Sequence, residues 1–140
     1  MAKIKLADGR VVLGEKGTAN NTVANSDSGS ALLIQKDALV TTLPNAATSN
    51  VGLEVFVVLG AVPPTSGPVG AGSGNASIGH EIAPHSSDKI QGILGGTGTA
   101  DKSILMVKAS QVQGDYVKLR CDGVDTWFVV EASGNWTMEA

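Results

Sequence analysis

Two imidazoles and a carboxylate lie close together in His80-Glu81-Ile82-Ala83-Pro84-His85. These residue types bind zinc or shuttle protons. Zinc hydrolases present such ligands one turn apart on a helix, and Pro84 interrupts the interval that a helix would need. The surrounding stretch, AVPPTSGPVGAGSGNASIGHEIAPHSSD (Ala61 to Asp88), is rich in Pro and Gly and carries only scattered aliphatics. It reads as a long surface loop with His80 and His85 in solvent. No metal site is expected there. The glycine-rich GILGGTGT (Gly92 to Thr99) lacks the lysine that closes a phosphate-binding loop, and Asp101-Lys102-Ser103 leads into a strand pattern rather than a helix. Ser73 in GAGSGN has no strand-to-helix context for a nucleophile elbow. The acids are scattered rather than paired. Cys121 is the only cysteine, so no disulfide framework exists, and its place beside Leu119 marks a small buried hydrophobe. No catalytic residues and no cofactor are expected, and the chain is not expected to be an enzyme.

A different chemistry, stacking and apolar contact, is concentrated near the C-terminus. Tyr116, Trp127, Phe128 and Trp136 fall within DYVKLRCDGVDTWFVVEASGNWT, and Phe56 is the one other aromatic of the FWY type. An indole on a hairpin serves either as an anchor of a core or subunit interface or as an exposed platform for a sugar or base. Phe56, Tyr116, Trp127, Phe128 and Trp136 are read as core or interface anchors, with the ligand platform as the competing reading.

The elements that hold these residues are short strands. KIKLADGRVVLGE alternates, turns at Asp8-Gly9 and returns through Val11-Val12-Leu13, a hairpin pattern. Lys16 to Ser30 is polar and Gly/Asn-rich with Val23 as its single aliphatic, and reads as an exposed loop or arm. Leu39–Leu43 is β-branched and ends at Pro44. Val55–Leu59 is continuously apolar and fits a strand buried on both faces, as does Ile104–Val107. Tyr116, Lys118 and Arg120 alternate with Val117, Leu119 and Cys121, then Asp122-Gly123 turns the chain into Trp127–Val130. Ser133-Gly134-Asn135 makes a further turn into Trp136-Thr137-Met138. No segment shows a convincing amphipathic helix. The expected fold is all-β, a compact antiparallel β-sandwich or barrel. Residues 1–30 would form an N-terminal hairpin and polar arm or linker, residues 31–140 the β-domain, and 61–88 a long surface loop.

Composition narrows the function classes. One domain is the natural size for 140 residues, and a chain of this length needs no disulfide or metal to fold. Charged residues make up 16%, below the usual quarter, and 18 glycines suit a turn-rich β domain. A net charge of −3 with no basic cluster argues against nucleic acid as a partner. No apolar run reaches the length of a membrane span or a signal segment, so no membrane partner is expected and synthesis in the cytoplasm is.

Three stretches carry a resemblance. LVTTLPNAATSNVGLEVFVVLGA (Leu39 to Ala61), DKIQGIL (Asp88 to Leu94) and GDYVKLRCDGVDTWFVVEASGNW (Gly114 to Trp136) together resemble the small decoration, or cement, proteins of tailed-bacteriophage capsids. The resemblance implies a structural protein on the outer surface of an icosahedral head. It would bind the major capsid protein, brace neighbouring capsomers and assemble with itself, often as a homotrimer. A cement needs shape and apolar contact area rather than catalytic groups, and a trimer multiplies weak contacts through effective concentration. Ile4, Leu6, Val11 and Leu13 are candidate contacts of an N-terminal arm that adds strands to a neighbour; an ordinary hairpin packed on its own domain is the alternative. A carbohydrate- or receptor-binding module of a phage head or tail fibre, using the aromatics and the 61–88 loop, is the alternative function.

Overall fold

A computed structural model describes residues 20–34, 39–60, 78–96 and 98–140, together with the backbone of Lys3–Lys5 and Val11–Leu13. The described residues form twelve strands: β1 (Lys3–Lys5), β2 (Val11–Leu13), β3 (Asn21–Thr22), β4 (Ala31–Ile34), β5 (Leu39–Thr42), β6 (Glu54–Leu59), β7 (Ile78–Ala83), β8 (Lys89–Gly92), β9 (Ile104–Val107), β10 (Tyr116–Cys121), β11 (Thr126–Ser133) and β12 (Trp136–Met138). The only helical elements among them are 3-10 turns at Asn25–Asp27, Thr48–Asn50 and Lys108–Ser110. Seven strands form one sheet in the order β1-β2-β4-β6-β10-β11-β8, and five form the other in the order β12-β9-β7-β5-β3. The fold is an all-β sandwich.

The chain crosses between the sheets at every step from β2 to β10. That habit shapes the pairing. A strand that leaves one sheet, runs back through the other and returns beside its predecessor can lie parallel to it, because the opposite sheet supplies the return path that a helix supplies elsewhere; β7 and β9, which also flank such a crossing, pair antiparallel instead. Accordingly β2, β4 and β6 are parallel neighbours, as are β3, β5 and β7, and β8 lies parallel to β11. The wholly antiparallel pairing expected from the sequence is therefore corrected to a mixed one. Antiparallel pairing is confined to β1–β2, β6–β10, β10–β11, β7–β9 and β9–β12.

The core lies between the sheets. Leu32, Ile34, Val55, Val57, Leu59, Val117, Leu119, Trp127 and Val129 of the larger sheet meet Leu39, Ile82, Ile104, Met106 and Trp136 of the smaller. β6 alternates: Val55, Val57 and Leu59 are buried, while Phe56 and Val58 are half-buried on the far side. The apolar run is one-sided, not covered on both faces as its composition suggests. Residues 20–30 are largely exposed, as expected, but are pinned to the sandwich where Val23, Asp27 and Ser30 are buried. Val23 enters the core and donates its N–H to Thr42 O at 2.8 Å, and Asp27 is buried with its carboxylate accepting the Ala24 N–H at 3.0 Å. Further bonds tie the stretch to the sandwich: Asn25 Nδ2 donates to Asn50 Oδ1 at 2.6 Å, the Glu54 N–H to Ser28 Oγ at 3.1 Å and the Gly29 N–H to Glu54 O at 3.0 Å. The predicted N-terminal hairpin is present, with Ile4 opposite Val12, and β2 joins β4 through Val12 and Leu13.

The largest departure is β7. IGHEIA lies inside the stretch read as a surface loop, yet it is the middle strand of the smaller sheet, buried from Ile78 to Ile82. Its register slips between Ile78 and His80, which makes Gly79 the extra residue of a bulge against β9. The end of the buried Gln111 side chain lies against Gly79, in the space that a Cβ would occupy.

Candidate interaction face

The outward side of the larger sheet gathers the remaining aromatics. β6 contributes Glu54, Phe56 and Val58, and β10 contributes Tyr116, Lys118 and Arg120, the alternation expected from YVKLRC. Antiparallel register sets Lys118 opposite Phe56, Arg120 opposite Glu54 and Tyr116 opposite Val58. On the other flank β11 sets Phe128 opposite Arg120 and Glu131 opposite Lys118. The β10–β11 register slips between Lys118 and Leu119, leaving Val130 as an extra residue on β11. Both Val130 and Glu131 therefore reach solvent on this side.

The side chains interlock. Phe56 and Tyr116 pack edge to face with centroids 5.3 Å apart, and Lys118 Nζ sits 5.3 Å above the Phe56 ring. The Tyr116 hydroxyl donates to Glu131 Oε1 at 2.5 Å, Lys118 Nζ stands 3.5 Å from Glu131 Oε2, and Arg120 Nη2 donates to Glu54 Oε2 at 2.8 Å. Each cation on the face thus stands beside a carboxylate. The hydrogen bond to Glu131 holds the Tyr116 phenol above its ordinary range, and the same bond, with Lys118, holds Glu131 below the usual carboxylate range. Toward β8 the face becomes apolar and open. Phe128 is 42% exposed, Val130 44% and Ile93 64%, and the Ile93 N–H donates to Val129 O at 3.3 Å, which fixes it at this edge.

The five anchors divide between two places. Trp127 is fully buried and donates its indole N–H to Pro44 O at 3.0 Å; Trp136 is nearly so and donates to Ser133 O at 3.0 Å. They belong to opposite sheets and fasten the core, so neither indole offers an exposed stacking platform. Phe56, Tyr116 and Phe128 lie on the outer face instead. Alternation placed Tyr116, Lys118 and Arg120 correctly. Glu54, Val58, Ile93, Val130 and Glu131 were not singled out as partners on that face, because joining them needs the register between distant strands and the β11 bulge. The side chains of Ile4, Val11 and Leu13, and all of Leu6, lie outside the described residues, as do residues 61–77 of the proposed surface loop.

The histidines do not form a site together. His80 is buried on the core side of β7, with Nε2 3.2 Å from Thr41 Oγ1 and its ring edge-on to Trp136 at 6.4 Å. The expectation of two solvent-facing loop histidines fails for His80, because its segment is a strand. His85 is exposed beyond the strand, with Nδ1 3.2 Å from Ser86 O. Glu81 is held by the Ser103 hydroxyl, which donates to Oε1 at 2.8 Å. No group of three or more His, Cys, Asp or Glu among the described residues is placed to hold a metal ion. Cys121 is buried, and desolvation raises its thiol pKa despite the N–H that Gly123 donates to Sγ at 3.3 Å. Comparison with protein-family models, with curated proteins and with solved structures finds no match to this chain.

Proposed function

We propose that this chain is a capsid decoration (cement) protein that binds the outer surface of an icosahedral phage head, acts as a homotrimer and stabilises contacts between capsomers. The observation that carries the reading is the outer face of the larger sheet, where the Phe56–Tyr116 pair spans β6 and β10, Phe128 and Val130 are exposed on the adjoining β11, and Ile93 is exposed at the end of β8. A clustered apolar and aromatic surface of this kind marks a protein contact more often than a solvent face. The cations on it are matched by carboxylates at short range, so a partner meets few unpaired charges to desolvate. The indoles are committed to the core, which disfavours the carbohydrate-binding alternative in the form that relied on them.

The test is co-sedimentation of the purified protein with capsids stripped of it, followed by electron microscopy of the decorated heads, with light scattering of the free protein. Saturable binding at regular outer-surface positions and a trimeric mass are expected. Failure to bind capsids, together with binding on a glycan array, would transfer the assignment to a receptor-binding module.

A further inference from the structure

The imidazole of His80 is buried in the smaller sheet, and one of its two ring nitrogens has no hydrogen-bond partner. β7 is the central strand of the smaller sheet, with His80 opposite Leu39 of β5 and Met106 of β9. Thr41 Oγ1 meets Nε2, Trp136 of β12 packs against the ring edge-on, and Nδ1 is buried without a hydrogen-bond partner. Among the described residues, the buried charged side chains on β7 and on the 3-10 turn packed against it are Glu81 and Lys108, and the uncharged Gln111 lies beside Gly79. The neighbouring Glu81 points to the other side of β7 by strand alternation and takes the Ser103 hydroxyl there.

We propose that His80 is an acid-operated release in the sandwich: protonating its buried imidazole disengages β7 from Thr41 and Trp136 and opens the five-stranded sheet. A proton added to the ring needs a second acceptor, and Nδ1 has none. The resulting cation would sit on the core side of β7 between Leu39 and Met106 and in line with Ile82, while the carboxylate next to it in the chain, Glu81, points to the other side of the strand, and an apolar core does not tolerate such a charge. Leaving the core gives the ring water on both nitrogens. Because β7 joins β5 to β9, its departure breaks the smaller sheet at its middle rather than fraying an edge. The release is independent of what the outer face of the larger sheet binds.

The sign of the effect follows from burial. Desolvation pushes His80 from 6.5 in the unfolded chain down to about 3 in the folded one. Between these values the unfolded chain binds the proton and the folded chain does not, so stability is complete above pH 6.5 and falls as the pH drops through that window. The folding equilibrium constant should fall about tenfold per pH unit below that point.

Urea unfolding of the wild type, H80Q and H85Q from about pH 7.5 to about pH 5 tests this, in a range where most carboxylates remain ionised. Glutamine keeps a hydrogen-bonding group near Thr41 and does not titrate. The wild type and H85Q should lose stability at the stated rate, and H80Q should show a nearly flat profile. Equal slopes for the wild type and H80Q would overturn the proposal. Should H80Q fail to fold, the imidazole carbon-bound proton resonances of the wild type decide. A His80 signal that holds its position across the range while the folded population shrinks supports the release, and a folded-state titration near the ordinary histidine value refutes it.

Discussion

Trp127 and Phe128 are chain neighbours with opposite tasks, and alternation alone separates them. Trp127 is fully buried and Phe128 is 42% exposed. W127A removes a large core side chain and leaves Pro44 O without its donor. It should cost about 3–5 kcal/mol in urea unfolding, whereas F128A should change stability by about 0.5 kcal/mol or less. Tyr116 provides a second residue-level test, because the chain has one tyrosine and its phenolate absorbance therefore reports a single group. The folded protein should ionise it above the ordinary range, and E131Q should bring the midpoint down, because the phenol then loses its bond to a carboxylate. An unchanged midpoint in an alkaline absorbance titration would show that Glu131 does not hold the hydroxyl in solution.

At the level of elements, the turn between β10 and β11 depends on one backbone position. Gly123 has φ +81°, and a Cβ there would fall 2.6 Å from Val51 Cβ. G123A meets both a disfavoured conformation and a clash, and should cost about 1–3 kcal/mol in thermal or urea unfolding. This hairpin was legible in the sequence because Asp-Gly turns and alternating side chains are local signals. The carboxylate of Asp122 even completes the turn, accepting the N–H groups of Val124 at 2.7 Å and Thr126 at 3.0 Å. What was not legible is non-local. Nothing in ALLI, LVTT or EVFVVL states that consecutive strands lie in opposite sheets, so the parallel ladders could not be read from them. β7 was hidden for another reason. Gly79, His80 and Glu81 resemble loop composition, and they become strand residues only because β5 and β9 flank them and the core accepts a neutral imidazole. The outer face was half legible: YVKLRC showed which β10 residues point together, but Phe56 lies sixty residues upstream of Tyr116 and only register brings them into contact.

At the scale of the whole molecule, the sandwich separates stability from contact. The core takes both indoles, and the outer face of the larger sheet is left with aromatic and aliphatic groups that the fold itself does not need buried. A charge placed on that face therefore distinguishes the two roles. In F128E or V130E the new carboxylate is solvated in the isolated protein, since both positions are more than 40% exposed, and the thermal midpoint should move by only a few degrees. Docked against a capsid or a second subunit, the same carboxylate would be buried without a partner, a cost of several kcal/mol. Each variant should thus fold normally yet lose at least about 100-fold in capsid affinity, or fail to form the trimer, depending on which contact the face makes. Co-sedimentation with stripped capsids and light scattering of the free protein separate these outcomes. Wild-type behaviour in both assays would mean that the aromatic face is not where this protein is held, and would move the search to the edges and ends of the sandwich.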